Sequence, residues 1–174
     1  MRRQRFLLFR VYRFQDAKAY AELYDLFYER IRRFLLFKLA KKEDVDELTS
    51  EVFLRAWEFT TSTQVENAGA LFYKIARNLI ADFYRAQSKR REDGLESAEE
   101  LAGADVLLEQ VMVNEESDEL LRAMKKLKEE YREVLVMRFL DQMSIKEIAG
   151  ALEKTSNNVR VLLSRAKKAL KESV

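Results

Sequence analysis

No proline interrupts this chain anywhere along its 174 residues, although average usage of about 5% would supply several. Proline is the strongest helix breaker, because its ring clashes with the preceding turn and it has no amide hydrogen to donate. Only four glycines occur, and strand-like alternation of apolar and polar residues is scarce. The sequence therefore predicts an all-α protein with long helices, of a length that suits one domain or two small ones.

The chain also has no cysteine and no histidine. This excludes thiol nucleophiles, disulfides, zinc-finger ligand sets and imidazole acid–base catalysis. Carboxylates remain as metal ligands, but they do not cluster with apolar shielding. We therefore expect no enzyme, no metal site, no cofactor and no small-molecule substrate.

Charge is distributed in three blocks along the chain. Residues 1–91 carry 19 Lys and Arg against 12 Asp and Glu, and residues 120–174 carry 13 against 7. Residues 92–119 carry 11 acidic residues and no basic one. Two separated basic blocks suggest two contacts along one polyanion, with the acidic segment setting their span.

These blocks predict two small helical domains, 1–91 and 118–174, joined by an acidic linker at 92–117. Gly94 and Gly103 support the linker assignment. A solvated tether explains its charge at least as well as the alternative, in which the linker imitates nucleic acid inside a basic channel of a partner.

The C-terminal domain contains a two-helix pattern in the segment SIKEIAGALEKTSNNVRVLLSRAKKAL, Ser144–Leu170. Apolar residues recur at helical spacing on both sides of an interruption at Glu153–Ser156, where Thr155 or Ser156 can cap the second helix. That helix presents a donor-rich face: Asn157, Asn158, Arg160, Ser164, Arg165, Lys167 and Lys168. Such side chains suit phosphates and base edges, so a DNA-binding helix-turn-helix is favoured over a surface hairpin with a solvated basic face.

The N-terminal domain has three predicted helices after its leading segment. The first is capped by Asp16 and runs to about Leu39, the second begins near Asp44, and the third is capped by Asn67 and ends near Arg91. The outward face of the second helix is mostly acidic, which is typical either of a solvated surface or of a docking surface for a basic or coiled-coil partner.

Between the second and third helices the sequence predicts a polar loop, Thr60–Gly69. On the third helix Phe72 and Phe83 fall at core positions, whereas Tyr73 and Tyr84 lie beside cations. Aromatic rings beside cations suit unpaired bases, so the two tyrosines are candidates for base stacking.

The leading segment, MRRQRFLLFRVYRF, is basic and aromatic. It is too short and too charged for a signal peptide or a stable membrane insertion. We expect a helix or strand-like arm packed on the first domain, with a membrane-surface helix as the alternative. The chain is expected to be cytoplasmic.

Three motifs together resemble the extracytoplasmic-function (ECF) class of bacterial sigma factors, the promoter-specificity subunits of RNA polymerase. DVDELTSEVFLRAW is similar to that family's polymerase-docking segment, and LFYKIARNLIADFYR to its promoter-melting and −10 helix. The helix-turn-helix segment is similar to its −35 reader. Glu153 stands where the family has a turn glycine, which costs energy if its φ is positive.

The resemblance implies a role for each set of residues. Polymerase contacts would be Asp44, Asp46, Glu47, Leu48, Glu51, Phe53 and Leu54. Contacts to −10 DNA would be Lys74, Arg77, Asn78, Asp82 and Arg85, and the Thr60–Gly69 loop would capture a flipped base. Contacts to −35 DNA would be Ser156, Asn157, Asn158, Arg160, Val161, Ser164, Arg165 and Lys168.

The resemblance implies a sigma factor without catalysis, with core RNA polymerase and promoter DNA as partners and an anti-sigma factor as a common third. A stand-alone helix-turn-helix regulator, which would bind a palindromic operator without polymerase, is the main alternative. A helical scaffold or membrane-associated interaction protein is the third hypothesis.

Overall fold

The computed structural model describes residues 2–92, 123–124 and 126–173, and within these ranges the regular structure is helical, without a strand. The helices are α1 (Arg2–Phe14), α2 (Ala17–Leu36), α3 (Lys42–Ser62), α4 (Ala68–Glu92), α5 (Glu129–Leu135), α6 (Ile145–Leu152) and α7 (Ser156–Ser173). A π-helical turn, Val136–Leu140, continues α5. The predicted all-α fold class is confirmed, and the predicted linker 92–117 lies outside the described residues apart from Glu92.

The leading segment forms a helix and not a strand-like arm. Leu7, Leu8 and Val11 lie on one side of α1 and are buried in the core, where α1 packs on α2 and α3. Phe6 and Phe14 are on the outward side and are more than half exposed. Within the described ranges no helix is long and apolar enough to cross a membrane.

The cap of α2 is the predicted one. Asp16 Oδ1 accepts hydrogen bonds of 3.0 Å from the amides of Lys18 and Ala19. The helix ends at Leu36, three residues before the predicted end at Leu39. Its last turn tightens, because the Lys38 amide bonds to the carbonyl only three residues back, at 2.9 Å.

The loop predicted at Thr60–Gly69 is shorter than expected, because α3 continues to Ser62 and α4 begins at Ala68. In the last turn of α3 the hydroxyl groups bond to carbonyls of the preceding turn, as in the 2.7 Å bond from Thr60 Oγ1 to Ala56 O. Asn67 caps α4 as predicted, since its Oδ1 accepts a 3.0 Å bond from the Ala70 amide.

The predicted helix-turn-helix is formed by α6 and α7. Ser144 and Glu147 close a capping box at the start of α6, each side chain accepting from the other residue's amide. Thr155 caps α7 by accepting from the Asn158 amide at 3.2 Å. Between the helices Glu153 has φ 53°, so this residue does adopt the left-handed conformation.

The two predicted domains lie against each other. Helix α6 packs on α4, α5 packs on α7, and the buried residues of both parts form one continuous hydrophobic cluster. Ile148 of α6 and Phe72 of α4 are both fully buried members of this cluster. The C-terminal part therefore covers one side of the helix that carries the predicted −10 contacts.

Candidate nucleic-acid interface

The predicted DNA-reading face of α7 is exposed. Val159, Leu163 and Ala166 turn inward and are buried, which fixes the rotation of the helix. The remaining predicted −35 residues point outward and are exposed or, for Ser156, half-buried: Ser156, Asn157, Asn158, Arg160, Val161, Ser164, Arg165 and Lys168. The arrangement offers amide, hydroxyl and guanidinium donors along one helix face, as groove reading requires.

The second predicted set lies on α4, and the structure divides it into two parts. Asn78, Asp82 and Arg85 are exposed, and Arg85 pairs with Asp82 at 2.8 Å along the same helix. Lys74 and Arg77 instead reach across to the C-terminal part of the chain. Two of the five predicted residues, Lys74 and Arg77, therefore form ion pairs with described residues of the C-terminal part, and the other three are exposed.

Lys74 Nζ lies 2.6 Å from Glu153 Oε1, in the turn of the helix-turn-helix. The hydrogen bond from Lys74, and then its charge, hold the pKa of Glu153 below the ordinary value. Arg77 Nε lies 2.9 Å from Glu133 Oε1 of α5, and Arg77 Nη1 donates to the Ala151 carbonyl at 3.3 Å.

The prediction that Tyr73 stacks on a base is wrong for this arrangement of the chain. Tyr73 is fully buried, and its hydroxyl donates a 2.5 Å hydrogen bond to Asp141 Oδ2, itself only 1% exposed. Burial, and then the charge of Asp141, raise the pKa of the phenol. Tyr84 is half-buried, and its hydroxyl donates to the Lys38 carbonyl, so this predicted stacking residue is also engaged.

The structure also shows that only part of the predicted base-capturing loop is accessible to a base. Thr60 is 1% exposed and belongs to α3, so it is not available to a base. The segment between the helices is Thr63–Asn67, in which Gln64 and Glu66 are exposed. Glu66 Oε2 lies 3.6 Å from Arg5 Nη2 of α1, so the leading helix stands beside this loop.

The predicted polymerase-docking residues are distributed along α3. Asp46, Glu47 and Leu54 are exposed, and Leu54 retains 54% of its accessible surface. Asp44 and Glu51 are half-buried. These residues keep an acidic face with one large apolar side chain directed outward.

Leu48 and Phe53 require a correction, because both are buried, at 8% and 4% exposure. Phe53 packs against the aromatic rings of Tyr24 and Phe72, so it belongs to the core beneath the predicted docking residues. Leu48 lines the floor of an open groove of about 630 Å³ between α3 and α4. Glu47, Glu51 and Leu54 line the same groove, together with Arg55, whose Nε lies 2.6 Å from Glu51 Oε1.

Several features of the site were not found from the sequence. The S-x-x-E motif at Ser144–Glu147, which marks the start of α6, can be read from the sequence. The partners of Tyr73 and Arg77 left no local signal, because they depend on how two distant segments pack. Among the described residues, no three acidic side chains come together as a metal site.

Two family models match the two helical parts. The model for sigma-70 region 2 matches residues 23–90, and the model for sigma-70 region 4 matches residues 117–170. The chain is 31% identical over 162 residues to the ECF RNA polymerase sigma factor BldN of Streptomyces coelicolor, covering 89% of this chain and 60% of that protein. It is 24% identical over 169 residues to the ECF sigma factor SigW of Bacillus subtilis, covering 91% and 90%.

Solved structures have a similar fold. CnrH, in its complex with the cytosolic domain of CnrY, matches with a TM-score of 0.69 at 19% identity, over 98% of this chain and 96% of that one. The sigma factor RpoE of Bartonella quintana, in its complex with the anti-sigma factor NepR, matches with a TM-score of 0.60 at 17% identity, over 90% and 97%. The chain belongs to the ECF class of sigma-70 RNA polymerase sigma factors.

Proposed function

We propose that this chain binds core RNA polymerase and directs it to promoters, where it recognises two DNA elements, assists melting and allows initiation. The observation that carries the proposal is the co-occurrence of two surfaces on one chain: the exposed donor face of α7 and the acidic groove beside α3. A stand-alone regulator needs the first surface and has no use for the second.

The α7 face is assigned to the −35 element. Arg160 and Asn158 lie near the N-terminal end of an exposed helix, the part that enters the major groove in helix-turn-helix proteins. Lys167 and Lys168 follow further along the helix and are placed at phosphates. Lys167 Nζ lies 4.9 Å from the ring centroid of Phe139, which leaves its charge at the surface.

The −10 element is assigned to α4 and to the Thr63–Asn67 loop. Asn78 and Arg85 are exposed and available to DNA, whereas Lys74 and Arg77 must first leave their carboxylate partners. The exposed polar loop is the remaining place for an unpaired base, since Tyr73 and Thr60 are enclosed.

The groove beside α3 is assigned to core polymerase. Acidic side chains around an apolar floor suit a basic, amphipathic helical partner. An anti-sigma factor is included among the partners, in keeping with the relative that was solved with one. A location in the cytoplasm, with the polymerase, follows from this assignment.

Run-off transcription tests the proposal. Purified core polymerase is combined with the chain on a promoter library with randomised −35 and −10 segments, and the transcripts are sequenced. We expect new start sites that require the chain and share two spaced elements. Unchanged initiation on every template, together with protection of a palindromic site by the chain alone, would establish the stand-alone regulator in its place.

A further inference from the structure

Helix α1 presents aromatic and basic side chains to solvent that none of the assignments above uses. Its 13 residues include five arginines and no acidic residue. One side of the helix is buried in the core: Leu7, Leu8 and Val11. Because successive residues of a helix are about 100° apart, Phe6, Phe9 and Arg13 point away from that side. The helix lies before both matched family regions, which begin at residues 23 and 117.

The aromatic rings on the outward side of α1 are well exposed. Phe6, Phe9 and Phe14 keep 59%, 50% and 67% of their accessible surface. Arg10 lies over the Phe6 ring, with its Cζ 5.8 Å from the ring centroid, and Phe9 meets Phe14 edge to face at 6.1 Å. Large apolar side chains that stay exposed together are typical of an interaction site.

The charges beside the rings favour an anionic partner. Three arginines of α1 each reach a carboxylate of the same chain: Arg3 to Glu22 at 2.7 Å, Arg5 to Glu66 at 3.6 Å and Arg10 to Asp16 at 2.5 Å. These pairs hold α1 on the bundle, and Arg13 adds an exposed guanidinium. A second copy of this chain is a poor partner for the same face, because it would bring five arginines against five.

The order of the side chains around α1 favours nucleic acid over a membrane surface. A helix that lies in a lipid interface separates an apolar face from a basic one. The apolar face of α1 is already used by the core, and its outward side mixes rings with guanidinium groups. Such a mixture suits a single strand, whose bases stack on rings while its phosphates meet cations.

The outward side of α1 also lies next to the Thr63–Asn67 loop. Arg5 Nη2 is 3.6 Å from Glu66 Oε2, and Gln4 and Arg5 line one small cavity together with Glu66 and Asn67. The proposed function holds an unpaired base in this loop. The neighbouring nucleotides of the same strand would therefore leave the loop beside α1.

We propose that Phe6, Phe9 and Arg13 form a platform for the unpaired promoter strand. The two rings stack on bases next to the one held by the loop, and Arg13 binds a phosphate. The inference rests on the proposed function, since it continues the path of a strand that the loop is proposed to hold. It adds a contact outside both matched family regions, and one that accepts any base, because every base has a face on which a ring can stack.

Ring substitutions on the full chain test the platform. Phe6→Leu with Phe9→Leu keeps apolar side chains and removes the aromatic faces at two exposed positions. Fluorescence anisotropy with labelled oligothymidylate measures the affinity for a single strand. We expect a loss of about tenfold or more, and it should persist at high salt, which weakens phosphate contacts and not stacking. Phe6→Trp with Phe9→Trp should bind at least as tightly as the wild type. A leucine variant with the affinity of the wild type would overturn the proposal.

A charge-matched pair tests the phosphate contact. Arg13→Gln removes an exposed cation of α1, and Lys126→Gln removes an exposed cation of the C-terminal part. We expect Arg13→Gln to weaken strand binding and to reduce the salt slope by about one, and Lys126→Gln to have a smaller effect. Equal effects of the two substitutions would contradict a phosphate contact at Arg13.

Photocrosslinking locates the strand on the polymerase that carries this chain. A premelted promoter holds a photoreactive thymine analogue in its unpaired strand, one nucleotide away from the captured base. We expect crosslinks to the tryptic peptide of residues 6–10, which contains both rings. Crosslinks confined to other peptides would overturn the placement.

Two further measurements separate the platform from a membrane contact and from the proposed function itself. Co-sedimentation with vesicles of phosphatidylcholine and phosphatidylglycerol should not depend on Phe6 and Phe9. Sedimentation that does depend on these rings would assign the face to a membrane and overturn the proposal. Run-off transcription is measured in parallel. A wild-type chain that binds the strand through α1 but supports no initiation on any template would refute the sigma-factor function alone.

Discussion

Gly150 of α6 lies directly against Ala70 of α4, so closely that a Cβ atom added to the glycine would stand 3.0 Å from the alanine Cβ. This spacing lets the two helices cross with almost no side chain between them. The contact joins the helix-turn-helix to the helix of the predicted −10 contacts. Because only a very small residue fits at position 150, substitutions there report how tightly the two parts are packed.

Gly150→Leu is expected to destabilise the closed arrangement by about 1–3 kcal/mol, the usual cost of overpacking a well-filled contact. Urea unfolding followed by circular dichroism gives the free energy of unfolding. Ala70→Gly in the Gly150→Leu background should recover part of the loss, because it returns space on the opposite helix. Additive effects of the two substitutions would show that the residues do not pack together.

Tyr73→Phe is expected to lower the free energy of unfolding by about 1–3 kcal/mol, because it leaves the buried Asp141 carboxylate without its hydroxyl donor. Tyr12→Phe is the matched control, since Tyr12 lies on α1 with 39% of its surface exposed. The same urea titration serves both variants. A Tyr73→Phe protein as stable as the control would mean that the hydrogen bond contributes nothing net.

The pH dependence of stability contains a contribution from Asp141. Burial raises the pKa of this carboxyl, and the opposing effects of Tyr73 and Arg33 are smaller. A raised pKa in the folded protein means that folding favours the protonated acid. The stabilisation is fully present below the ordinary pKa of 3.8 and is lost as the pH rises through the raised value.

Asp141→Asn imitates the protonated form and removes this titration. The free energy of unfolding of the wild type, relative to Asp141→Asn, should therefore fall as the pH increases from about 4 towards neutrality. Taking the difference cancels the other carboxyls, including Glu129 and Glu153, whose pKa values are lowered and whose contributions have the opposite sign. A difference that is constant or rises with pH would contradict the assignment.

The helix-turn-helix could be predicted closely because its signals are local. Ala149 and Val159 are buried as their helical spacing indicates, and Thr155 caps α7 as its position before the helix suggests. Glu153 adopts the left-handed conformation where the resembling family has glycine. That conformation costs energy in a residue other than glycine. The Glu153 side chain, however, forms an ion pair with Lys74, which glycine would not form.

The interface between the two parts could not be predicted, because helical periodicity does not reveal two buried faces on one helix. On α4, Phe72 packs on Phe53 of the N-terminal bundle. Its neighbour Tyr73 packs on Phe34 of the same bundle and donates through its hydroxyl to Asp141 of the C-terminal part, so both are enclosed. A tyrosine beside cations is equally typical of a base-stacking surface. Only the pairing with Asp141, 68 positions further along the chain, distinguishes the two roles.

The α7 face should discriminate between bases. Asn158→Ala and Arg160→Ala are each expected to cost about 1–3 kcal/mol of preference for the cognate −35 sequence if their side chains reach base edges. The preference is the ratio of two affinities, those of the polymerase carrying this chain for the matched and for the mutated promoter. Lys168→Ala is the comparison, since a phosphate contact should weaken every sequence about equally. Uniform losses for all three variants would reassign Asn158 and Arg160 to the DNA backbone.

The groove beside α3, which is assigned to core polymerase, can be tested by charge reversal. Asp46→Lys with Glu47→Lys reverses two exposed charges of α3: Glu47 lines the groove beside Leu48, and Asp46 Oδ1 lies 3.2 Å from Arg32 Nε of α2. The double variant should abolish binding to core polymerase, because the partner is expected to be basic there. Binding is measured by co-purification and by fluorescence anisotropy with labelled chain. Affinity for DNA alone should change little, since the acidic groove is not assigned to DNA.

The control for this variant is Asp25→Lys with Glu29→Lys, which makes the same charge change at exposed positions of α2. Salt dependence adds a second criterion, because long-range attraction weakens as ionic strength rises and a specific docked contact persists better. Loss of polymerase in both double variants would indicate a general charge effect. Retention in the α3 variant would show that core polymerase docks elsewhere on the chain.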